Sequence, residues 1–208
     1  MFDNWKENLQ PILDKYKDNK HPLAYENLYQ LLIMIILAAK DSDANINTIS
    51  ISFFQKYPNI VSLSKATPSE ISNYISTVEN YKNKSNWLSE SANLIQSEDK
   101  IPTNLDDLIK LKGVGRKSAN VILREINKEP KGIIVDLHVL RVVPRIGLTP
   151  KLTDGIKIEK LLMQKLPYEI RNDIGMTFSF LGREICRPKN PKCNICPINM
   201  HCNYFNNI

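Results

Sequence analysis

The chain has 208 residues, 42% of them hydrophobic, and a net charge of +6 with a pI near 9.0, so it can form one or two domains with a buried core. Its longest apolar stretch, 31–39, is too short to span a membrane, and its start lacks a secretory pattern, so we expect a cytoplasmic protein, nucleoid-associated if the host is bacterial. The charge favours a polyanionic partner only weakly, because many solvated surfaces are mildly basic.

Nearly every segment has the apolar spacing of an α-helix, which predicts an all-α fold. The predicted helices lie at 5–16, at 28–39, around 43–53, from 67 onward, and at 84–97, 104–111, 116–127, 136–146, 154–166 and 168–185. Thr67-Pro68-Ser69-Glu70 has the pattern of a capped helix start with Pro at the first helical position. The run 132–135 is the exception, with the composition of a short strand.

All the cysteines of the chain lie in its last quarter, with the spacing C-x6-C-x2-C-x5-C. They are Cys186, Cys193, Cys196 and Cys202. Two disulfides are disfavoured by the absence of a secretory signal. A structural zinc also takes four thiolates, but zinc sites usually pair two C-x2-C knuckles across a longer loop. One compact run with a single C-x2-C step favours an iron–sulfur cluster.

A second motif, LKGVGRKS at 111–118, lies between two predicted helices. Its two glycines allow a tight hairpin, and the following helix begins with a basic pair. Because the start of a helix carries exposed N–H groups and a positive dipole end, such a joint can bind phosphate. Many helix joints contain G-x-G without binding anything. The motif is informative because the G-x-G is combined with a basic pair and two flanking helices.

Three segments together resemble the endonuclease III family of base-excision DNA glycosylases, in the helix-hairpin-helix superfamily. They are LKGVGRKSANVIL at 111–123, VDLHVLRV at 135–142, and the cysteine spacing, which matches the [4Fe-4S] loop of that family. The resemblance covers essentially the whole chain. It implies a bifunctional DNA glycosylase and AP lyase that binds double-stranded DNA with damaged bases or abasic sites, carries a [4Fe-4S] cluster on the four cysteines, and acts as a monomer.

The family's catalytic residues correspond by position to Lys117 and Asp136. An unprotonated amine can attack the sugar C1′ and form a Schiff base, which leads to strand cleavage by β-elimination. The helix start and the neighbouring Arg116 both disfavour the ammonium form of Lys117. The carboxylate of Asp136 can stabilise positive charge on the sugar or transfer a proton. The alternatives are a phosphate-binding lysine and a simple helix N-cap, and capping does not exclude catalysis. His138 is expected to be structural.

The resemblance also implies two helical domains with a DNA-binding cleft between them, one at 22–132 and the other combining 1–21 with 133–208. Expected DNA contacts come from the hairpin, the cluster loop and two wedge segments. These residues are Lys40, Asn80, Tyr81, Lys112, Gly113, Val114, Gly115, Arg116, Arg187, Lys189 and Lys192. Lys112 stands where the family usually has proline, and a plain solvated loop is the alternative for the cluster region.

The two wedge segments depart from the family pattern. Lys40 replaces a glutamine, and Glu79-Asn80-Tyr81 replaces a glycine followed by a hydrophobic wedge. The carboxylates of Asp41 and Glu79 are expected to weaken DNA binding unless lysines offset them. Oxidised pyrimidines are the default substrate; an enzyme acting mainly on abasic sites, and a non-catalytic damage-binding protein, stay open. A helical binding module with a zinc ribbon is a further alternative.

Overall fold

The computed structural model describes residues 5–129 and 131–207, and the regular secondary structure in this part of the chain is helical. The α-helices are α1 (Trp5–Tyr16), α2 (Leu28–Leu37), α3 (Asp43–Lys56), α4 (Ile60–Ser64), α5 (Pro68–Tyr74), α6 (Tyr81–Ile95), α7 (Leu105–Leu108), α8 (Arg116–Glu125), α9 (Leu137–Ile146), α10 (Gly155–Lys165) and α11 (Arg171–Glu184). Short 3-10 turns lie mainly in the C-terminal loop. The all-α prediction is confirmed.

The chain forms two compact units. The first is continuous, His21–Lys128, and contains α2 to α8. The second combines α1 with the chain from Glu129 onward, and it contains α9 to α11 and the loop that carries the cysteines.

The core of the continuous unit forms around α2, whose sequence LYQLLIMIIL is apolar on most sides. Asn27 caps its start by accepting a hydrogen bond from the N–H of Gln30 at 2.9 Å. The helix packs against α3, α6 and α8, so nearly all its side chains are buried. This confirms the helix predicted at 28–39. In the described part of the chain, no helix is both long and apolar enough to cross a membrane.

The predicted capped start at Thr67 is also confirmed. The carboxylate of Glu70 accepts a hydrogen bond from the Thr67 N–H at 2.8 Å, and the Thr67 hydroxyl accepts one from the Glu70 N–H at 3.3 Å. These bonds satisfy N–H groups that have no partner within α5. Pro68 occupies the first helical position, where its missing N–H costs nothing.

In the second unit, α11 is the central helix and packs against α9 and α1. Ile174, Phe178 and Leu181 form its buried stripe. The contact with α1 includes a hydrogen bond from the Tyr16 hydroxyl to the Glu184 carboxylate, at 2.9 Å. The N-terminal helix is therefore held against the last long helix of the chain.

The strand prediction for 132–135 is wrong. Among the described residues this segment pairs with no strand and runs as a buried, extended connector into α9. Its backbone lies so close to α11 that a Cβ at Gly175 would be 2.5 Å from the Ile134 carbonyl oxygen. Ile133 and Ile134 are β-branched and apolar because they fill the core, and this produces the strand-like composition.

Replacing Gly175 with alanine should destabilise the second unit. The added methyl would collide with the backbone of Ile134, which cannot rotate away as a side chain can. We expect a loss of about 2–3 kcal/mol in the free energy of unfolding, measured by urea denaturation.

The matched control is Gly155→Ala at the start of α10. There the nearest atoms would lie 3.7 Å away, an ordinary contact. Since alanine favours helix more than glycine does, this variant should be as stable as the wild type or slightly more so. Equal stability of the two variants would contradict the packing argument.

Candidate active site

The predicted hairpin joins α7 to α8 and is built around Gly113. This residue has φ = 84°, a left-handed conformation that favours glycine, and the N–H of Val114 donates to the Leu111 carbonyl at 3.1 Å to close the turn. A Cβ on Gly113 would lie 2.9 Å from a ring carbon of Trp87 and 3.1 Å from Ile36. The backbone of the hairpin therefore lies directly on the core. The predicted helix at 104–111 is shorter than expected, because its last residues form this turn.

The start of α8 combines three features that attract anions. Gly115 is the N-cap residue and provides no side-chain cap for the helix. Lys117 is exposed in the first turn, and Arg116 beside it is partly exposed. The opposite face of the helix is buried, which fixes the orientation of this basic end. A positive helix end with adjacent cations is suited to bind phosphate or another anion.

His21, which the sequence analysis did not single out, lies within electrostatic range of Lys117. Burial lowers the pKa of its imidazole to about 4; the carboxylate of Glu125 opposes this shift, and the charge of Lys117 adds to it. The ring nitrogen Nδ1 accepts a hydrogen bond from the N–H of Leu23 at 3.1 Å. At neutral pH this histidine is uncharged, so it adds no positive charge near Lys117.

Asp136 is fixed through both carboxylate oxygens. Its Oδ1 accepts the N–H groups of His138 and Val139 at 2.8 and 2.9 Å, which makes it the N-cap residue of α9. Its Oδ2 accepts the hydroxyl of Ser179 on α11 at 2.6 Å. Asp136 is therefore the helix N-cap that the sequence analysis gave as an alternative to catalysis, and its side chain is still partly exposed. The structure thus presents a carboxylate in one fixed orientation at a surface.

Ser179 is a site residue that the sequence analysis missed. It is completely buried on α11, in a segment for which the sequence analysis predicted only a helix. The one signal was a hydroxyl in the apolar run Phe178-Ser179-Phe180. Leu137, the residue after Asp136, is 79% exposed and so does not fill the space around the carboxylate. His138 interacts with Arg141 at 3.1 Å, which fits the structural role expected for it.

The expected DNA-contacting residues lie at the surface in most cases. Lys40 and Asn80 are exposed, and the loops that contain them are hydrogen-bonded to each other through Asp41 and Glu79. Tyr81, the first residue of α6, is partly buried. In the cluster loop Arg187, Lys189 and Lys192 are exposed, whereas Val114 in the hairpin is buried. Lys112 pairs with Glu90 at 2.8 Å, and both side chains are more than half exposed.

The cysteine loop is held to α9 by Arg145. Its guanidinium donates to the Sγ of Cys186 at 3.4 Å and to the Arg187 carbonyl at 2.7 Å. The same guanidinium stacks on the ring of Tyr204, 4.7 Å from the ring centre. The N–H of Tyr204 in turn donates to the Arg145 carbonyl at 2.8 Å. One side chain thus holds both the beginning and the end of the loop.

The cysteines are free thiols, and they lie close enough to interact electrostatically. Burial, together with the charges of Cys202, Cys186 and Cys193, raises the pKa of Cys196 to about 11, although a backbone hydrogen bond from Ile198 opposes the shift. Thiols bind metals as thiolates, so a bound positive metal centre would offset this rise in pKa. Among the described residues, however, no group of His, Cys, Asp or Glu is spaced to hold a single metal ion. Four thiols are a donor set that both zinc sites and iron–sulfur clusters use.

Comparisons with known proteins agree with these features. Residues 33–168 match the family model described as HhH-GPD superfamily base excision DNA repair protein. Endonuclease III of Rickettsia prowazekii is 34% identical over 196 residues, 92% of each chain. Endonuclease III of Buchnera aphidicola is 33% identical, over 97% of this chain and 98% of the relative. A structure of a trapped endonuclease III–DNA covalent intermediate superposes with a TM-score of 0.89 at 28% identity, over 100% of this chain and 98% of the other.

The half-buried His21 should make the stability of the fold depend on pH between about 6.5 and 4. Its pKa is about 4 in the folded chain and 6.5 when unfolded, so the unfolded state takes up the proton first as the pH falls. The contribution of neutral His21 is complete above pH 6.5 and is lost as the pH falls towards 4. We expect His21→Asn, which retains an acceptor for the Leu23 N–H, to reduce the loss in unfolding free energy between pH 7 and 4.5 by about 2 kcal/mol.

Urea denaturation at the two pH values measures this difference. The control is His201→Asn, at an exposed position, which should follow the wild-type pH dependence. If His21→Asn lost as much stability on acidification as the wild type, the half-buried neutral histidine would not be its source.

Proposed function

Because this chain belongs to the HhH-GPD superfamily of base excision DNA repair proteins and, within it, to the endonuclease III family, we propose that Lys117 and Asp136 are the catalytic residues of a DNA glycosylase with AP lyase activity. The enzyme class follows from the family, and DNA is the partner seen with the solved relative. The fixed carboxylate of Asp136 is the observation that most supports the residue assignment.

Lys117 is proposed as the nucleophile. Its Nζ forms a bond to the sugar C1′ while the bond from C1′ to the damaged base breaks and the base leaves with a proton. The sugar ring then opens to a Schiff base, a C2′ proton is removed, and the bond from C3′ to its phosphate oxygen breaks. Water finally releases the lysine. The exposed position in the first turn of α8 supports this role, because an incoming phosphate backbone would place the sugar near the amine.

Asp136 is proposed to stabilise the positive charge that develops on the sugar as the base leaves. Its orientation is set before DNA binds, since Oδ1 is held by two backbone N–H groups and Oδ2 by Ser179. A carboxylate held in this way loses little freedom during the reaction, which is the general advantage of a preorganised charge. Ser179 would act through Asp136 as a positioning residue.

We propose that the two units are the DNA-binding domains predicted at 22–132 and at 1–21 with 133–208, and that each contributes residues that bind the duplex. The hairpin backbone at Gly113 and Gly115, with Arg116, would bind phosphates, and so would the exposed cations of the cluster loop. These are Arg187, Lys189 and Lys192. The pair of Lys112 with Glu90 is exposed, so breaking it costs at most about 1 kcal/mol and leaves Lys112 available to DNA.

Cys186, Cys193, Cys196 and Cys202 are proposed to hold a [4Fe-4S] cluster, as the relationship to endonuclease III implies. The bound cluster would supply four metal–thiolate bonds that stabilise the loop. The chain's own contribution is to bring the four thiols together and to hold the exposed basic residues of the loop in place through Arg145.

We propose that the substrates are oxidised pyrimidines. We also propose that the enzyme acts as a monomer. The support is the relationship to endonuclease III proteins along nearly the whole chain, together with a lysine at 117. That lysine favours lyase chemistry over the strictly monofunctional mismatch-specific relatives.

Borohydride trapping tests the role of Lys117. The wild type should form a covalent adduct with a duplex that contains an abasic site, because borohydride reduces the Schiff base to a stable amine. Lys117→Ala should reduce trapping and strand cleavage by at least about 100-fold, since no amine remains at the helix start.

The control is Lys128→Ala, which removes an exposed lysine elsewhere in the same unit. This variant should trap as the wild type does. Undiminished trapping with Lys117→Ala would show that another amine is the nucleophile.

Iron analysis tests the cofactor. Protein purified without oxygen should be brown, absorb near 400 nm and contain about four iron atoms per chain. Cys193→Ser should lose most of this iron, whereas His201→Asn, next to Cys202, should retain it. A colourless protein with one zinc per chain would contradict the proposal.

A further inference from the structure

Two short loops of the continuous unit have the same unusual backbone feature. Lys40, after α2, has φ = 61°, and Asn80, before α6, has φ = 59°. Both residues are exposed, and both have a backbone in the left-handed region, which favours glycine over residues with a side chain. Such conformations persist only where the surroundings hold them, and they are concentrated at functional sites. We refer to residues 38–42 and 78–81 as the paired loops.

Asp41 connects the two loops. Its Oδ2 accepts the backbone N–H of Glu79 at 2.7 Å, across 38 positions of sequence. Its Oδ1 accepts the N–H of Ser42 at 2.7 Å and the side-chain amide of Asn45 at 3.0 Å. Although burial acts to raise the pKa of this carboxyl, the three N–H donors and the charge of Lys84 hold it below its ordinary value. Asp41 is therefore ionised at neutral pH, and its charge is used within the protein.

Lys84 also helps to hold the paired loops. It lies on α6 and is only 1% exposed, and its Nζ donates to the carbonyls of Leu37 and Ala39, both at 2.7 Å. Leu37 is the last residue of α2, where backbone acceptors have no partner inside the helix, and Ala39 lies in the first of the paired loops. The positive charge of Lys84 also interacts with Asp41 and Glu79. One buried ammonium thus contacts the first loop and lies within electrostatic range of the Asp41 carboxylate, which joins it to the second.

A buried lysine is costly unless its charge is needed, and an apolar side chain of similar length would fill the space with less desolvation.

The arrangement of the paired loops also differs from what the sequence suggested. Asp41 was expected to repel the phosphates, yet its oxygens face N–H donors of the paired loops. The loop at Glu79 lacks the glycine that the family pattern has there, and the bond from its N–H to Asp41 holds the turn in place.

We propose that Lys84 and Asp41 are positioning residues that hold the paired loops as one rigid ridge, and that this ridge enters the duplex when the damaged base is extruded. The inference rests on the proposed glycosylase function. Extrusion leaves a gap in the base stack that the protein must fill, and a rigid element fills it with less loss of freedom than a mobile loop. Lys40 at the tip supplies a long hydrocarbon stem and a cation, which suit a stacked base edge and the backbone of the opposite strand.

The test compares two substrates that differ in their need for the ridge. One is a duplex with a single thymine glycol, from which the base must be extruded. The other is a single strand with an abasic site, which has no stack to open and no gap to fill. The variants are Lys84→Met, which removes the ammonium but keeps the stem, and Asp41→Ala, which removes the connection between the loops. The matched control is Asp99→Ala, at an exposed position in the same unit.

Single-turnover excision from the duplex should fall at least 10-fold in Lys84→Met and in Asp41→Ala. Strand cleavage at the single-stranded abasic site should stay within about twofold of the wild type. The double variant should be about as impaired as the worse single variant, because both residues stabilise one arrangement. A 2-aminopurine placed opposite the lesion should report reduced insertion in both variants, and Asp99→Ala should match the wild type throughout.

Thermal unfolding of each variant separates positioning from folding. If Lys84→Met does not fold, Asp41→Ala, whose side chain is partly exposed, carries the comparison. Equal losses on the two substrates, or unchanged excision from the duplex, would overturn the positioning role while leaving the glycosylase assignment intact. A wild type that neither excises thymine glycol nor cleaves abasic DNA would overturn the proposed function and this inference together.

Discussion

Every helix leaves N–H groups at its start and carbonyls at its end without partners inside the helix, and this constraint connects the candidate site to the fold. Asp136 accepts the first N–H groups of α9, and Lys84 donates to the last carbonyls of α2. At the start of α8, by contrast, the N-cap residue is a glycine without a capping side chain. The bonds at the ends of α9 and α2 hold Asp136 and Lys84 in place, and the end without a capping side chain lies beside Lys117, where an anion is expected.

The sequence was sufficient to predict what depends on neighbouring residues. The helices, the capped start at Thr67 and the hairpin all follow from local patterns, and the structure contains each of them. Contacts between distant residues were not predictable. The hydroxyl of Ser179 reaches Asp136 across 43 positions, and Lys84 reaches Ala39 across 45. Such pairs depend on how helices cross, and a serine or a lysine within an amphipathic helix gives little sign of its partner.

The segment 132–135 is a case in which a local sequence pattern predicted the wrong structure. β-Branched residues favour a strand only when a neighbouring strand supplies backbone partners. Here the neighbour is a helix, and its Gly175 allows the connector to lie directly against it. The carboxylate of Asp41 is a second case. From the sequence, this carboxylate was expected to weaken DNA binding through its negative charge. In the fold it accepts three N–H groups and lies near a buried ammonium.

The packing of α1 against α11 has a consequence for how the chain is made. The unit His21–Lys128 is continuous, so all its helices are present once that segment has left the ribosome. The other unit needs Tyr16 and Lys15 at one end and Glu184 at the other, which are joined by a hydrogen bond and an ion pair. Its first helix must therefore wait, with its apolar face uncovered, until nearly the whole chain has been synthesised. The order of translation thus favours completion of the continuous unit before the unit that carries the cysteines.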